Sequence, residues 1–206
     1  MKGKIARLNP FFLRNQFSTT GKWGFPIIHR QPLISKRIEL ISYSDIKKND
    51  VPFNTYRGVH FFIDDYRFLN VYVEPQKSYN MLKQYAFLCS PDNSMYLEMD
   101  LWKQIEAVAI NRWCGAYWQS KGLIVYPTIS WGRQQTFDFC FDGIEENSVV
   151  VVSTISCRKA VRCFMKGYDF MRERINPSII ICFGKVFPEM RGEIICIDYM
   201  KSKEVF

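Results

Sequence analysis

Acidic side chains are absent from the first 38 residues of this 206-residue chain, and the first one is Glu39. The same segment carries eight of the 28 Lys and Arg residues, and the other 20 are balanced by the 20 Asp and Glu residues. The formal net charge of +8 therefore lies entirely in residues 1–37. Such a charge asymmetry indicates a polyanionic partner, and it predicts contact with DNA or RNA phosphates.

Histidines and long apolar runs are also scarce. With only His29 and His60, the chain has neither a His-Glu-x-x-His zinc helix nor a paired-histidine nicking site. The glycine-rich nucleotide-binding motifs and the Gly-x-Ser-x-Gly elbow are absent as well. The longest apolar runs, residues 149–152 and 179–183, are far shorter than the roughly 20 residues that cross a bilayer. The sequence thus predicts no membrane partner.

The seven cysteines are odd in number, and none forms a Cys-x-x-Cys pair. Most lie in apolar, strand-like runs, where a free cysteine behaves as a small hydrophobic residue. We therefore expect reduced core thiols in a cytoplasmic protein.

The arrangement of apolar segments predicts an α/β fold. Short runs rich in β-branched residues are separated by amphipathic helical segments, which favours a mostly parallel sheet with helices on both faces. The alternative is a small or partial β/α barrel. The expected strands are residues 58–64, 86–89, 123–130, 137–141, 148–153, 178–183 and 193–198. The expected helices are residues 74–84, 100–122 and 157–175.

Two regions differ in character along the chain. Residues 1–37 are basic and interrupted by prolines, which predicts an N-terminal arm held against the body by short apolar clusters. Residues 38–206 have the length and apolar content of a single α/β domain.

Carboxylates cluster where the predicted strands end. Asp64, Asp65, Asp92 and Asp142 each follow a predicted strand, and ligands of parallel α/β folds bind beyond those ends. They are our candidates for general acid and base catalysis. Because Mg²⁺ prefers oxygen ligands, Asp65, Asp92 and Asp142 are also candidate ligands of Mg²⁺. The alternative is that these aspartates only stabilise turns and helix starts.

A second group of residues is suited to phosphates or bases. Ser153, Thr154, Arg158 and Lys159 lie between a buried strand and a helix start, where backbone N–H groups and cations favour an anion. The alternative there is ordinary helix capping.

Further candidates for nucleic-acid contact lie in segments rich in planar side chains. Arg67 follows the Asp64-Asp65 doublet directly, and Trp131 follows a predicted strand end. Arg112 and Gln119 lie in the aromatic segment of the long helix, where stacking on bases is the functional interpretation. The alternative is that this helix buries its aromatic side chains against the sheet.

Several motifs together resemble a family of domains of unknown function that occurs in bacteria and in phage and plasmid genomes. The matching segments are GVHFFIDDYRF (58–68), SPDNSMY (90–96), RWCGAYWQSKG (112–122), PTISWG (127–132), FDFCFDGI (137–144), VSTIS (152–156), KGYDFM (166–171) and IICFG (180–184). The resemblance implies a single domain encoded by a phage, plasmid or related element, and it implies no particular activity.

Three functions remain open at this point. The first is a nucleic-acid-associated protein whose basic arm contacts phosphates. The second is a metal-assisted hydrolase or transferase acting on a phosphorylated or nucleotide substrate. The third is a non-catalytic phage factor that binds a host protein, and its mark would be an exposed apolar patch.

Overall fold

The computed structural model describes residues 9–50, 56–157 and 159–198. The helices are α1 Pro10–Leu13, α2 Asn70–Val73, α3 Pro75–Leu82, α4 Leu101–Ser120 and α5 Val161–Ile175. The strands are β1 Thr19–Thr20, β2 Phe25–Pro26, β3 Glu39–Ser42, β4 Arg57–His60, β5 Phe87–Cys89, β6 Val125–Tyr126, β7 Val149–Ser153, β8 Ile179–Phe183 and β9 Ile194–Ile197. Short 3₁₀ turns cover Tyr43–Asp45, Asp65–Arg67, Gln134–Asp138 and Ile155–Cys157.

The main strands run parallel and lie side by side in sequence order. One sheet has the order β3-β4-β5-β6 and the other the order β7-β8-β9, and every pair within them is parallel. A parallel bridge between Thr128 and Val151 joins the two sheets. There the Ile129 N–H donates to the Val151 carbonyl at 2.9 Å, and the Val151 N–H donates to the Pro127 carbonyl at the same distance. The predicted parallel α/β architecture is confirmed.

The sheet curls around a core of its own side chains. Leu40 of β3 and Ile197 of β9 belong to one buried cluster, although they come from opposite ends of the strand order. The His60 ring of β4 lies 4.5 Å from the Phe183 ring of β8, measured between centroids. No ladder joins β3 to β9 among the described residues, so the curled sheet does not close into a barrel there.

Helices cover the opposite side of the strands. Trp113 and Trp118 of α4 pack with Val59 and Leu88 of the four-stranded sheet. In the same way, α5 packs on β7 and β8. The aromatic segment of α4 is thus largely buried, as the structural alternative for this helix predicts. No helix in the described ranges has the length and hydropathy needed to span a bilayer.

The described part of the N-terminal segment crosses the outer side of α4. Ile28 is fully buried, and a Cβ atom on Gly115 would lie 2.3 Å from its Cδ1, so α4 needs glycine there. The Arg14 guanidinium stacks between the Tyr72 and Trp113 rings, 4.1 and 3.9 Å from their centroids. These contacts fix residues 9–37 against the body, while the boundary at residue 37 stays a prediction.

One predicted strand is wrong. Residues 137–141 alternate in the manner of a strand, but they continue a 3₁₀ helix, Gln134–Asp138, into turns. The Thr136 hydroxyl accepts from the Gly132 N–H and donates to the Arg133 carbonyl, which closes this local turn. Among the strands of the two parallel sheets, the one that the pattern does not predict is β3, at the first edge; the short strands β1 and β2 are not predicted either.

Candidate functional site

The carboxyl ends of the parallel strands form one rim, where two loops are tied together. The Asp65 carboxylate accepts from the backbone N–H of Ser94, at 3.1 and 3.2 Å, and from its hydroxyl at 2.8 Å. Asp92, two residues before Ser94, accepts a hydrogen bond from the Ser130 hydroxyl. The structure therefore brings Asp65 and Asp92 together, as the strand-end argument predicts for these two residues.

The Asp92 carboxyl group has an unusual proton affinity. Burial raises its pKa to about 6, the negative charge of Asp65 adds to this increase, and the hydrogen bond from Ser130 opposes it. A carboxyl group with a pKa near neutrality can both hold and release a proton under physiological conditions. Asp92 is therefore the rim residue best suited to acid and base chemistry.

Asp64 and Arg67 lie on the same loop but face solvent. Their side chains form an exposed ion pair, 3.6 Å between Arg67 Nε and Asp64 Oδ2. The Arg67 Nε–H also donates to the Tyr66 hydroxyl at 3.3 Å. Both side chains are accessible to a ligand, but neither is held in a fixed pocket.

Asp142 does not join the other aspartates. Its buried carboxylate pairs with Arg174 Nη2 at 2.5 Å, and the turn at Gly21 covers it. Across the described ranges, no group of three or more His, Cys, Asp or Glu side chains is placed to hold a metal ion. The three-aspartate Mg²⁺ site is thus not assembled, because residue 142 follows a 3₁₀ turn and not a strand.

Arg112 lies inside the molecule rather than facing a ligand. It is 2% exposed, and burial lowers its pKa to about 10. Its Nε–H donates to the Asp142 carbonyl at 2.8 Å, and Nη2 donates to the Cys140 carbonyl at 2.6 Å. Nη1 donates to Asn111 Oδ1 at 2.5 Å. Arg112 therefore connects the rim to the turn that carries Asp142.

Gln119 and Trp131 also make internal contacts. The Gln119 amide accepts from the His29 N–H and donates to the His29 carbonyl, both at 2.8 Å, which fastens the N-terminal segment to α4. The Trp131 ring lies directly over Gly167, where a Cβ atom would be 2.3 Å away, and it packs on Phe164. Both residues are partly buried and have structural roles.

Only part of the predicted phosphate-binding loop is accessible to a ligand. The buried Thr154 hydroxyl donates to the Lys185 carbonyl at 2.9 Å, so it is already used. The Ser153 hydroxyl accepts from the Ile155 N–H at 3.4 Å. Lys159 is exposed, and Arg158 lies outside the described residues.

His60 is a rim residue that the sequence interpretation missed. It is buried at the end of β4, and burial lowers its pKa to about 4. Its Nδ1 accepts from the Phe62 N–H at 3.2 Å, and its ring packs on Phe62 and Phe183. The predicted strand, residues 58–64, placed His60 in its interior, whereas the observed strand ends at His60.

Exposed apolar side chains are frequent in the two chain segments that follow Asp65 and Asp92. We call this surface the rim patch, and its members are Tyr66, Leu69, Val73, Tyr96, Leu97 and Trp102. Tyr66 is 74% exposed and Trp102 is 65% exposed. The hydrogen bonds between Asp65 and Ser94 hold the two contributing loops together. The acidic residues Glu98 and Asp100 lie between Leu97 and Trp102 along the sequence.

A surface of the opposite sign lies on α5. Arg162, Lys166, Phe170 and Arg174 recur every four residues and are all exposed, and we call them the basic stripe. Because Gly21 lies against Asp142 and Asp142 pairs with Arg174, the hairpin turn with Lys22 and Trp23 reaches the end of this stripe.

Comparison with known proteins places the chain in a family. Residues 17–200 match the family model described as a domain of unknown function, DUF4417. The chain belongs to this family. It is 32% identical over 187 residues to the Gene 1 protein of Mycobacterium phage L5. The aligned region covers 89% of this chain and 80% of the relative. It is 36% identical over 132 residues to the Gene 1 protein of Mycobacterium phage D29, which covers 63% of this chain and 49% of the relative. No solved structure matches.

The DUF4417 match includes the rim, the rim patch and the basic stripe, but it begins after residue 16. Four of the eight N-terminal basic residues, Lys2, Lys4, Arg7 and Arg14, therefore lie outside the matched region. The surfaces within the match are accordingly the better guide to what the domain does.

Proposed function

We propose that this DUF4417 domain is a nucleic-acid-associated phage protein that contacts phosphates through the basic stripe and the neighbouring hairpin turn. The observation that carries the proposal is the spacing of Arg162, Lys166 and Arg174 at intervals of four and eight residues on one helix, where Asp169 and Glu173 are exposed as well. The phage origin of both relatives supports the setting.

The geometry of the stripe suits an extended polyanion. From Arg162 to Arg174 the helix rises by about 18 Å, a length that spans several phosphates of one strand. Phe170 and Trp23 are 43% and 45% exposed, so they offer aromatic faces on which unpaired bases can stack. Arg162 and Lys166 form no ion pair with other described residues, and their charges remain available.

The basic arm contributes less than its charge suggests. Arg14 stacks between aromatic rings and donates to the Tyr72 carbonyl at 2.6 Å, so its charge is used within the protein. Lys36 pairs with Glu193 at 3.2 Å, and Arg37 pairs with Glu39 at 3.4 Å. Phosphate contacts by Lys2, Lys4 and Arg7 stay a prediction, because these residues lie outside the described ones.

The proposal is tested by measuring binding to fluorescently labelled single-stranded DNA, duplex DNA and single-stranded RNA over a range of salt concentrations. The variant Arg162→Ala/Lys166→Ala removes two stripe cations. The matched control, Lys47→Ala/Lys48→Ala, removes two exposed cations from the loop after β3.

We expect the stripe variant to bind at least tenfold more weakly at low salt. Its salt slope for duplex DNA should fall by about two, because two phosphate contacts are lost. The control should bind as the wild type does. Equal losses in both variants, or no wild-type binding to any of the three nucleic acids, would contradict the proposal.

A second candidate function is suggested by the rim patch, which is the apolar surface expected of a phage factor that binds a host protein. Two acidic residues, Glu98 and Asp100, lie among its apolar ones along the chain, so the partner that fits is a basic amphipathic segment. For a purified partner identified by capture, Tyr96→Ser/Trp102→Ser should weaken binding at least tenfold, while Arg162→Ala/Lys166→Ala should not. The reverse pattern would assign the partner to the stripe and remove this candidate.

A further inference from the structure

A small cavity opens at the rim between the ends of β5 and β6 and the middle of α4. The polar residues of its lining are Asp92, Asn93, Asn111, Arg112, Thr128 and Ser130. The cavity has room for about one water molecule.

Two oxygen atoms in this lining are buried without a partner. They are Thr128 Oγ1 and Asn93 Oδ1, neither of which has a hydrogen bond to any described residue. Thr128 is 1% exposed, and its backbone groups are already paired, the N–H with Ser90 Oγ at 2.8 Å and the carbonyl with Asn111 at 3.1 Å. Buried polar atoms are nearly always hydrogen-bonded, so these two indicate a bound ligand.

The charges around the cavity favour a neutral ligand. Arg112 and Asp92, two residues of opposite charge, both line the cavity. An added cation would lie close to the guanidinium, whereas a neutral molecule meets no such repulsion. The nearby Asp65 carboxylate is already engaged with Ser94.

We propose that the cavity is a binding site for one water molecule, which donates to Asp92 and Asn93 Oδ1 and accepts from the Thr128 hydroxyl. A water molecule has two donors and can accept, so it satisfies both unpaired oxygens and the carboxylate at once. A carboxylate paired with a bound water at the open end of a parallel sheet is the arrangement that general-base activation of water requires. This inference goes beyond nucleic-acid binding and does not depend on it.

The decisive variant is Thr128→Val, which keeps the shape of the side chain and removes the hydroxyl. If the hydroxyl binds a water, its loss should increase the unfolding equilibrium constant roughly threefold to tenfold in urea titrations. If the cavity is dry, the same change removes an unpaired buried hydroxyl and should make the protein more stable, which would overturn the proposal.

Thr154→Val serves as the control. Thr154 is equally buried, and its hydroxyl donates within the protein, to the Lys185 carbonyl at 2.9 Å. Its loss should increase the unfolding equilibrium constant whatever the cavity contains, so it calibrates the cost of losing one buried hydrogen bond.

Two further measurements separate water from a metal ion and do not require a variant to fold. The wild-type unfolding midpoint should not change when EDTA is replaced by millimolar Mg²⁺ or Ca²⁺, and a marked rise would overturn the proposal. A high-resolution crystal structure should show one solvent peak within about 3.2 Å of both Thr128 Oγ1 and Asn93 Oδ1. An empty cavity or a metal ion in that place would also overturn it.

Discussion

The rim patch and the basic stripe differ in the sign of their charge and in the type of secondary-structure element that carries them. The rim patch is apolar and acidic, and most of it is carried by loops after β4 and β5. The stripe is basic and is carried by one helix. Because residues 38–206 contain equal numbers of cationic and anionic residues, composition alone conceals this separation. A balanced charge can therefore hide two surfaces suited to different partners.

Arg112 connects the two regions, so its replacement should have the largest effect. In Arg112→Lys the ammonium group cannot reproduce the fork that reaches Asn111, Cys140 and Asp142. Leaving buried carbonyls unpaired beside a buried charge should lower the free energy of unfolding by about 3 kcal/mol. Urea denaturation measures this loss.

A matched substitution on the stripe is the control for Arg112→Lys. Arg162→Lys exchanges the same two residue types at an exposed position, and its stability should stay within about 0.5 kcal/mol of the wild type. If both substitutions cost the same, Arg112 is not the link between the regions.

His60 should make the rim, and not the stripe, sensitive to acid. Its pKa in the folded protein is about 4, below the ordinary value of about 6.5 for an unfolded chain. Between these two pH values the unfolded chain binds more protons, so stability is lost as the pH falls, by about 3 kcal/mol in total. His60→Phe should remove this loss in urea titrations from pH 7 to pH 4. A variant with the wild-type pH profile would show that His60 is not the responsible group.

Asp92 should change the stability by less than His60 does, and with the opposite dependence on pH. Its pKa of about 6 exceeds the ordinary value of about 3.9, so the folded protein binds more protons between these pH values. Stability therefore falls as the pH rises through this range, by about 2 kcal/mol after allowance for the partial exposure of the side chain. Asp92→Asn should be more stable than the wild type at pH 8 and nearly equal to it at pH 4. Equal stability at both pH values would mean that Asp92 titrates normally.

The strand-end argument succeeded where the strands were real. The β-branched runs of β7 and β8 and the apolar segments of β4 and β5 predicted parallel strands, and their order along the chain placed Asp65 and Asp92 at one rim. It failed at Asp142, since the preceding phenylalanines alternate as in a strand but pack in a 3₁₀ turn. The alternation of apolar and polar residues indicates which side chains are buried, and the turn buries the same phenylalanines that a strand would bury.

Contacts between distant segments account for the other differences between the sequence predictions and the structure. The α4 helix was expected, but local sequence cannot show that residues 9–37 return to it and that the His29 N–H donates to Gln119. The basic stripe was present in the sequence at a spacing of four residues.

The place of Ile28 has a consequence for how the chain is made. Its N–H donates to the Gly143 carbonyl at 2.8 Å, and the next residue, His29, pairs with Glu145 at 2.9 Å. These partners emerge from the ribosome more than one hundred residues later, so the contacts of Ile28 and His29 with them form late in synthesis. Until then the apolar outer side of α4 lacks its cover, and a nascent chain halted before residue 143 should be vulnerable to aggregation.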